Sequence, residues 1–222
     1  MEHMQGKRKR SVRKRARKET YDLFNAQAAY AESMFQFALG DQKGGLSALR
    51  RSHEYKHDYA PTILSLGSVE YQLGRPAQGR KLFLSLLSLP DNTPDLCIII
   101  DEAGSYLIQE REYKDGLELY RAAVARFPQV AVLHEGLGCC AGHEGFHDEA
   151  IAASRRALDL EPDNPEFVNN LGWSLYEAGH LQEAETVLAR AVSMDPSDEL
   201  ARENLRLCRA EMAKSRKKKR DA

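Results

Sequence analysis

The stretch "PEFVNNLGWSLYEAGHLQEAETVLARAVSMDPSD" (165–198) contains two amphipathic helical patterns with a glycine between them. Val168, Leu171 and Leu175 recur at spacings of 3 and 4, which predicts a first helix with one apolar face. Gly179 stands before the second pattern, where the turn needs a left-handed backbone conformation that glycine adopts easily. Pro196 ends the second helix because proline cannot continue one. The stretch therefore predicts a helical hairpin.

The same pattern occurs upstream at a nearly fixed interval. Residues 97–130 and 131–164 have the same length as 165–198, and small residues recur in their first helices 34, 37, 34 and 34 residues apart. Small side chains at these places let two paired helices approach closely, and a hairpin of this kind buries its apolar face only by stacking on neighbours. The recurring positions are Ser33, Gly67, Gly104, Gly138 and Gly172 in the first helices, and Gly45, Gly79, Gly116, Ala150 and Ala184 in the second.

A Leu-Gly pair, a later alanine, a larger apolar residue and a closing proline resemble the tetratricopeptide repeat (TPR) family. The resemblance implies an all-α fold, a right-handed superhelical solenoid of stacked helix-turn-helix hairpins. We expect five units, at about 26–59, 60–96, 97–130, 131–164 and 165–198. The family's tryptophan position holds Val168 and His134, and in 26–59 Glu32 stands where leucine is usual. The match is carried by Leu171, Gly172, Ala184, Leu188 and Pro196 in the last unit, and by Leu137, Gly138, Ala150, Ala157 and Pro162 in the unit before it.

The segment that follows the last repeat, 199–213, predicts a capping helix. Leu200, Leu205, Cys208 and Met212 form an apolar stripe between charged residues, as expected of the end of a repeat array. Ser197 is the expected N-cap of this helix. The TPR domain is therefore predicted to span 19–213.

Both ends of the sequence are strongly basic. Residues 1–18 carry nine Lys and Arg and one Glu, and residues 214–222 carry six Lys and Arg and one Asp, although the whole chain has a net charge of −1. Like-charge blocks are typical of disordered segments that contact nucleic acid. We predict two disordered tails, which contact RNA or DNA, or solubilise or localise the protein, or dock into an acidic groove. The nucleic-acid contacts would be Lys7, Arg8, Lys9, Arg10, Arg13, Lys14, Arg15, Arg216, Lys217, Lys218, Lys219 and Arg220.

The segment "HEGFH" (143–147) matches the H-E-x-x-H pattern of zinc proteases. That site needs both histidines on one continuous helix, so that both rings face one metal ion. Gly145 occupies the same turn position as Gly179, so His143 should end one helix and His147 begin the next. We therefore predict no catalytic zinc, and no stoichiometric zinc. A weaker alternative is a structural metal ion held by Cys139 and His143, which are four residues apart on one helix.

Other signatures of catalysis and targeting are missing from the sequence. It has no phosphate-binding loop, dinucleotide-binding glycine motif or nucleophile elbow, which predicts a protein that is not an enzyme and needs no cofactor. No apolar run approaches the roughly 18 residues of a membrane span, and the N-terminus shows no secretory signal. The four cysteines lack the spacing of a disulfide scaffold, which favours a reducing compartment. We expect a cytoplasmic protein, or a nuclear one in a eukaryote.

The resemblance implies a concave groove lined by the first helices of the units. Acidic groups outnumber basic ones among its residues, and the lysines and arginines that clamp a C-terminal carboxylate in some members of the family are absent. The principal prediction is therefore a scaffold or adaptor whose groove binds a basic or apolar segment of another protein. The alternative is a nucleic-acid-associated adaptor that uses its basic ends; the oligomeric state stays open. The groove residues are Tyr30, Met34, Phe37, Leu64, Tyr71, Asp101, Ser105, Gln109, Glu135, His143, Asn169, Trp173, Tyr176 and Glu177.

Overall fold

The structure, a computed structural model, describes the backbone of residues 2–220 and the side chains of residues 12 and 14–216. Within this range the chain forms helices and no strand, so the all-α fold class is confirmed. The helices are α1 (Glu2–Ala38), α2 (Gln42–Tyr55), α3 (Ala60–Gln72), α4 (Pro76–Leu86), α5 (Leu96–Gln109), α6 (Tyr113–Arg126), α7 (Ala131–His143), α8 (His147–Leu160), α9 (Pro165–Glu177), α10 (Leu181–Met194) and α11 (Glu199–Arg220).

The chain divides into two compact units within α5. The first unit ends at Ala103 and contains the hairpins α1–α2 and α3–α4. The second unit begins at Gly104 and contains the hairpins α7–α8 and α9–α10, with α6 packed on α7 and α11 packed on α10 and α9. Helical hairpins therefore stack within each unit as the repeat pattern predicts.

Close approach of the paired helices depends on the small residues of the repeat. A Cβ atom on Gly172 would come within 2.6 Å of Cγ of Leu188, a side chain that is fully buried in α10. Leu171 and Leu175 pack in the same core as Ala184 and Leu188. The small residue in α9 thus makes room for the leucine of its partner helix.

The turns inside the hairpins follow the glycine pattern with one substitution. Gly40, Gly74, Gly145 and Gly179 all have positive φ between 71° and 80°. The equivalent turn between α5 and α6 holds Arg111, with φ 61°. The chain therefore builds the same left-handed turn at all five places, four times with glycine and once with arginine.

Ion pairs between second helices repeat with the period of the sequence. Arg121 of α6 donates two hydrogen bonds to Glu149 of α8, and Arg155 of α8 donates to Glu183 of α10 at 2.7 Å. Both pairs span 28 residues and are related by a shift of 34. These pairs join successive second helices of the second unit, α6 to α8 and α8 to α10.

The capping helix α11 is confirmed, but its predicted N-cap is wrong. The Asp198 carboxylate accepts hydrogen bonds from the backbone N–H groups of Leu200 (2.8 Å) and Ala201 (3.2 Å), whereas the Ser197 hydroxyl donates to Asp195. Asp198 caps the helix because α11 begins at Glu199. Leu200 is 61% exposed and does not belong to the buried stripe, in which Ala201 takes its place.

The prediction of disordered ends differs from the structure. Helix α1 begins at Glu2 and α11 continues to Arg220, so the backbone of 2–18 and of 214–220 is helical. Lysine, arginine and alanine are good helix formers, and no proline interrupts either helix. Like charge alone does not prevent a basic segment from being helical when it continues a helix that packs on its neighbours, as α1 and α11 do.

None of the helices in the described part of the chain is long and apolar enough to cross a membrane.

Candidate binding site

The structure places the histidines of "HEGFH" on different helices. His143 is the last residue of α7 and His147 the first of α8, with Gly145 at φ 79° between them. The prediction of an inter-helix turn is confirmed. Among the described residues, no group of three or more His, Cys, Asp or Glu side chains is arranged to hold a metal ion.

Four of the predicted groove residues line one cleft between α7 and α9. Glu135 and His143 lie on one face of α7, and Trp173 and Glu177 are four residues apart on α9. The cleft has a volume of about 90 Å³. Its remaining lining residues are Gly138, Cys139, Ser154, Asn170 and Ser174. We refer to it as the α7/α9 cleft.

One wall of the α7/α9 cleft is fixed by a chain of side-chain hydrogen bonds. The Asn170 amide donates to Oε1 of Glu135 at 2.9 Å, which holds one carboxylate oxygen in place. Asn169 donates to Asn170 at 3.3 Å, and Asn204 of α11 donates to Asn169 at 3.0 Å. The network connects α7, α9 and α11 and orients Glu135 before any ligand arrives.

Aromatic rings surround the acidic groups. The Trp173 and Tyr176 rings lie 5.0 Å apart at an interplanar angle of 33°, and both side chains are half-buried. His143 stacks on Tyr113 of α6 with ring centroids 3.9 Å apart. Glu177 is exposed beside these rings. A positively charged side chain in this cleft would lie near two carboxylates and an indole ring, and both kinds of group attract cations.

The thiol of Cys139, which lines the cleft, is held in its neutral form. Burial, and then the negative charges of Glu135 and Glu177, raise the pKa of Cys139 to about 11. Burial raises the pKa of Cys140 as well. Cys139 therefore lacks the lowered pKa of a nucleophilic thiol.

Two predicted groove residues are buried in the structure. Asn169 is 3% exposed because it bonds to Asn170 and to Asn204 of the capping helix. Tyr71 is 9% exposed because its ring stacks on Phe83 and fills the space beside Gly79. Their assignment to the exposed groove is wrong, since each is used for packing within its own unit.

The other predicted residues of the first unit differ in their exposure and contacts. Tyr30 is half-buried, with its ring edge-to-face with Tyr59 and its hydroxyl 3.3 Å from Ser65. Phe37 packs over Gly45 of α2, and Leu64 is half-buried in α3. Met34 is 38% exposed and Asp101 is half-buried.

Three more predicted residues of the second unit do not line the α7/α9 cleft themselves. Ser105 is half-buried and Gln109 is exposed on α5, and neither lines the α7/α9 cleft. The ring of Tyr176 contacts the ring of Trp173, which lines the cleft.

Most of the predicted nucleic-acid contacts lie outside the described side chains. Among the twelve, Lys14, Arg15 and Arg216 are described, and all three are exposed. Arg15 pairs with Glu19 at 2.9 Å within α1. The three described basic residues are therefore exposed on helices, Lys14 and Arg15 on α1 and Arg216 on α11.

Asn170 lines the cleft although the sequence did not predict it as a groove residue. It is not at a groove position of the family, yet it orients Glu135 across 35 residues, and the Asn169–Asn204 bond spans 35 residues as well. A search for polar residues one position beyond the repeat period would have found both pairs.

Comparison with known proteins agrees with this fold. Two family models described as tetratricopeptide repeat match residues 102–165 and 143–208. The small glutamine-rich tetratricopeptide repeat-containing protein 2 of Mycosarcoma maydis is 25% identical over 112 residues, which is 50% of this chain and 32% of that protein. The chain thus spans about a third of this relative.

Solved structures share the fold. MamA (residues 41 to the end) from Desulfovibrio magneticus RS-1 superposes with a TM-score of 0.57 at 19% identity, covering 79% of this chain and 97% of that one. YrrB, whose structure is described as a TPR protein with an unusual peptide-binding site, gives a TM-score of 0.56 at 18% identity, over 79% of this chain and 89% of its own. The stacked hairpins, the periodic small residues and the matched models together identify residues 102–208 as tetratricopeptide repeats.

Proposed function

We propose that the protein is a non-enzymatic interaction scaffold whose α7/α9 cleft binds a segment of another protein. The segment presents a lysine or arginine next to an apolar side chain. The observation that carries this proposal is the placement of Glu135 and Glu177 beside Trp173 around one cleft.

Three features of the cleft support a cationic ligand. Glu135 is already oriented by Asn170, so binding does not have to order this carboxylate. Trp173 supplies an aromatic face for the charged head and an apolar surface for the aliphatic stem of the ligand. The two carboxylates, one on each side of the cleft, would repel an acidic segment.

The fold of the relatives is consistent with this role. YrrB is described as having a peptide-binding site, and this chain shares its fold. We extend peptide binding to this chain on the strength of its own cleft, since an identity of 18% indicates the fold alone.

The test is the affinity of the full chain for two fluorescent peptides of equal length. One alternates leucine with lysine, and the other alternates leucine with glutamate. We expect saturable binding of the lysine peptide and no measurable binding of the glutamate peptide. Replacing Glu135 and Glu177 by Gln should weaken binding roughly tenfold, since a charge that is in contact with solvent contributes up to about 1 kcal/mol.

A variant with the same change in net charge serves as the control. Asp159 and Asp163 are exposed and do not line the cleft. The variant Asp159→Asn, Asp163→Asn should bind the lysine peptide almost as well as the wild type. Equal losses in both double variants would mean that net charge and not the cleft attracts the peptide, which would refute the proposal.

A second candidate function is contact with nucleic acid through the basic helical ends. The observation that favours it is the exposure of Lys14, Arg17 and Lys18 along α1. Binding should weaken steeply with salt, because phosphate contacts release counterions. Changing these three residues to Gln should reduce affinity for a DNA duplex at 50 mM salt, whereas undiminished binding by a chain lacking 1–18 and 214–222 would contradict this candidate.

We also place the protein in the cytoplasm. All four cysteines are free thiols, as expected in a reducing compartment. Fractionation of cells that express a tagged chain checks this placement.

A further inference from the structure

Helix α1 carries an exposed apolar stripe on the side facing away from its hairpin. Tyr21, Phe24, Phe35 and Leu39 are each between 62% and 66% exposed. Exposed alanines, Ala28 and Ala31, lie between the aromatic residues. The opposite side of α1 is used for packing: Ala26 and Ser33 are fully buried and Ala29 is 6% exposed.

The spacing of the stripe is that of a helix-pairing surface. Positions 21, 24, 28, 31, 35 and 38 are separated by 3, 4, 3, 4 and 3 residues, and the apolar residues at all six are exposed. This is the a/d spacing with which one helix packs along another. Single exposed apolar residues are ordinary on a protein surface, but a contiguous stripe with this period indicates an interaction site.

The stripe is also symmetric about its middle. Its spacings read the same in both directions, and the two small residues stand at the centre with aromatic rings on either side. Two copies of α1 packed antiparallel would place Phe24 of each copy against Phe35 of the other, and Ala28 of each copy against Ala31 of the other. A surface that matches itself under a half-turn is what a two-fold symmetric dimer requires.

Charge favours the antiparallel arrangement over the parallel one. In a parallel pair the basic residues of 7–18 would lie side by side in both copies and repel each other. An antiparallel pair places these segments at opposite ends, so that this repulsion is avoided. The stripe itself carries no charge.

The area of the stripe is sufficient for a specific contact. Six aromatic rings, each about two-thirds exposed, would remove roughly 600–1,000 Å² from water. Leu39, Met34 and the alanines add to this, which brings the total near the ~1,200 Å² at which specific interfaces begin.

The capping helix α11 shows how this protein closes an end with polar residues. Its outward residues Arg202, Glu203, Arg206 and Arg209 are exposed, while Ala201 and Cys208 are buried. Helix α1 lacks such a polar outer face along 21–39. We propose that this face of α1 is covered by α1 of a second copy of the chain, as an antiparallel, two-fold symmetric dimer.

The test is the mass of the full chain in solution, measured by light scattering at concentrations between 1 and 100 µM. We expect twice the chain mass of 25.0 kDa. Phe24→Glu should raise the dissociation constant by about 30-fold or more, because a carboxylate replaces a ring at two related places in the contact. A wild type that stays at 25.0 kDa throughout would overturn the proposal, and so would a Phe24→Glu variant that dimerises as tightly as the wild type.

Two further variants test the symmetry and control for folding. Phe35→Lys alone should also dissociate the dimer, whereas the double variant Phe24→Glu, Phe35→Lys should recover it, since residue 24 of each copy faces residue 35 of the other. Leu73→Glu introduces a charge at an apolar residue that is 47% exposed outside the stripe, and should leave the dimer unchanged. No recovery by the double variant would refute the antiparallel register. Helicity measured by circular dichroism should be equal in all variants.

Discussion

At the scale of single residues, the turn inside each hairpin shows how closely sequence and backbone agree. Gly145 and Gly179 have φ near 80°, and Arg111 takes φ 61° at the equivalent position. A left-handed conformation costs a residue with a Cβ atom about 1–2 kcal/mol relative to glycine. The sequence predicts this turn wherever glycine stands at the turn position. It does not predict the turn at Arg111, where the left-handed conformation is strained.

We expect Arg111→Gly to stabilise the protein by about 1 kcal/mol, because it removes this strain. Chemical denaturation followed by circular dichroism would measure the change. The matched change is Gly145→Ala, which adds a Cβ atom where no other atom lies within 4 Å and so tests the backbone alone. It should cost about 1 kcal/mol. A stabilising Gly145→Ala would contradict this account of the turn.

The raised pKa of Cys139 predicts slow reaction with alkylating reagents. Since its pKa is about 11, its thiolate fraction should rise almost tenfold per pH unit between pH 7 and 10. Glu135→Gln should speed labelling, because the charge of Glu135 is one of the causes of the shift. Mass spectrometry of the labelled peptide gives the rate at this residue, and rapid labelling at pH 7 would contradict the prediction.

The same shift has a consequence for stability. The folded state keeps the Cys139 proton up to about pH 11, whereas an ordinary thiol loses it near pH 9. The stability that this thiol contributes is therefore fully present below pH 9 and is lost as the pH rises towards 11.

At the scale of helices, the sequence predicted the hairpins of the second unit well and the two ends of the chain poorly. Repeat spacing defines α7 to α10 because each hairpin must bury the same face against its neighbour. Helix α1 has no such repeat along 2–18, and a block of like charge is a weak guide to backbone structure. The ion pairs between Arg121 and Glu149 and between Arg155 and Glu183 also escaped notice, although they share the 34-residue period.

The beginning of α11 gives a direct test of the capping helix. Asp198→Ala should destabilise the protein by about 1 kcal/mol, because two backbone N–H groups lose their acceptor. Ser197→Ala serves as the control, since the Ser197 side chain bonds to Asp195 and not to the helix. Thermal denaturation measures both, and an equal loss in the two variants would contradict the assignment of the cap.

At the scale of the whole molecule, the sequence located part of the candidate site. Four residues predicted from the groove positions of the family, Glu135, His143, Trp173 and Glu177, line one cleft, because these positions depend only on the repeat register. They failed for Asn169 because the capping helix contributes Asn204, a contact that no repeat position encodes. A register predicts which face a residue lies on, whereas its partners depend on the particular side chains around it.

The central claim, that the α7/α9 cleft is where a partner segment binds, is tested most directly by the fluorescence of Trp173. The chain contains a single tryptophan, so its emission reports on this cleft alone. Titration of the full chain with the unlabelled leucine–lysine peptide should change the emission in a saturable way, with the same dissociation constant that the labelled peptide gives. A peptide that binds with that affinity while the emission of Trp173 stays constant would contradict the claim.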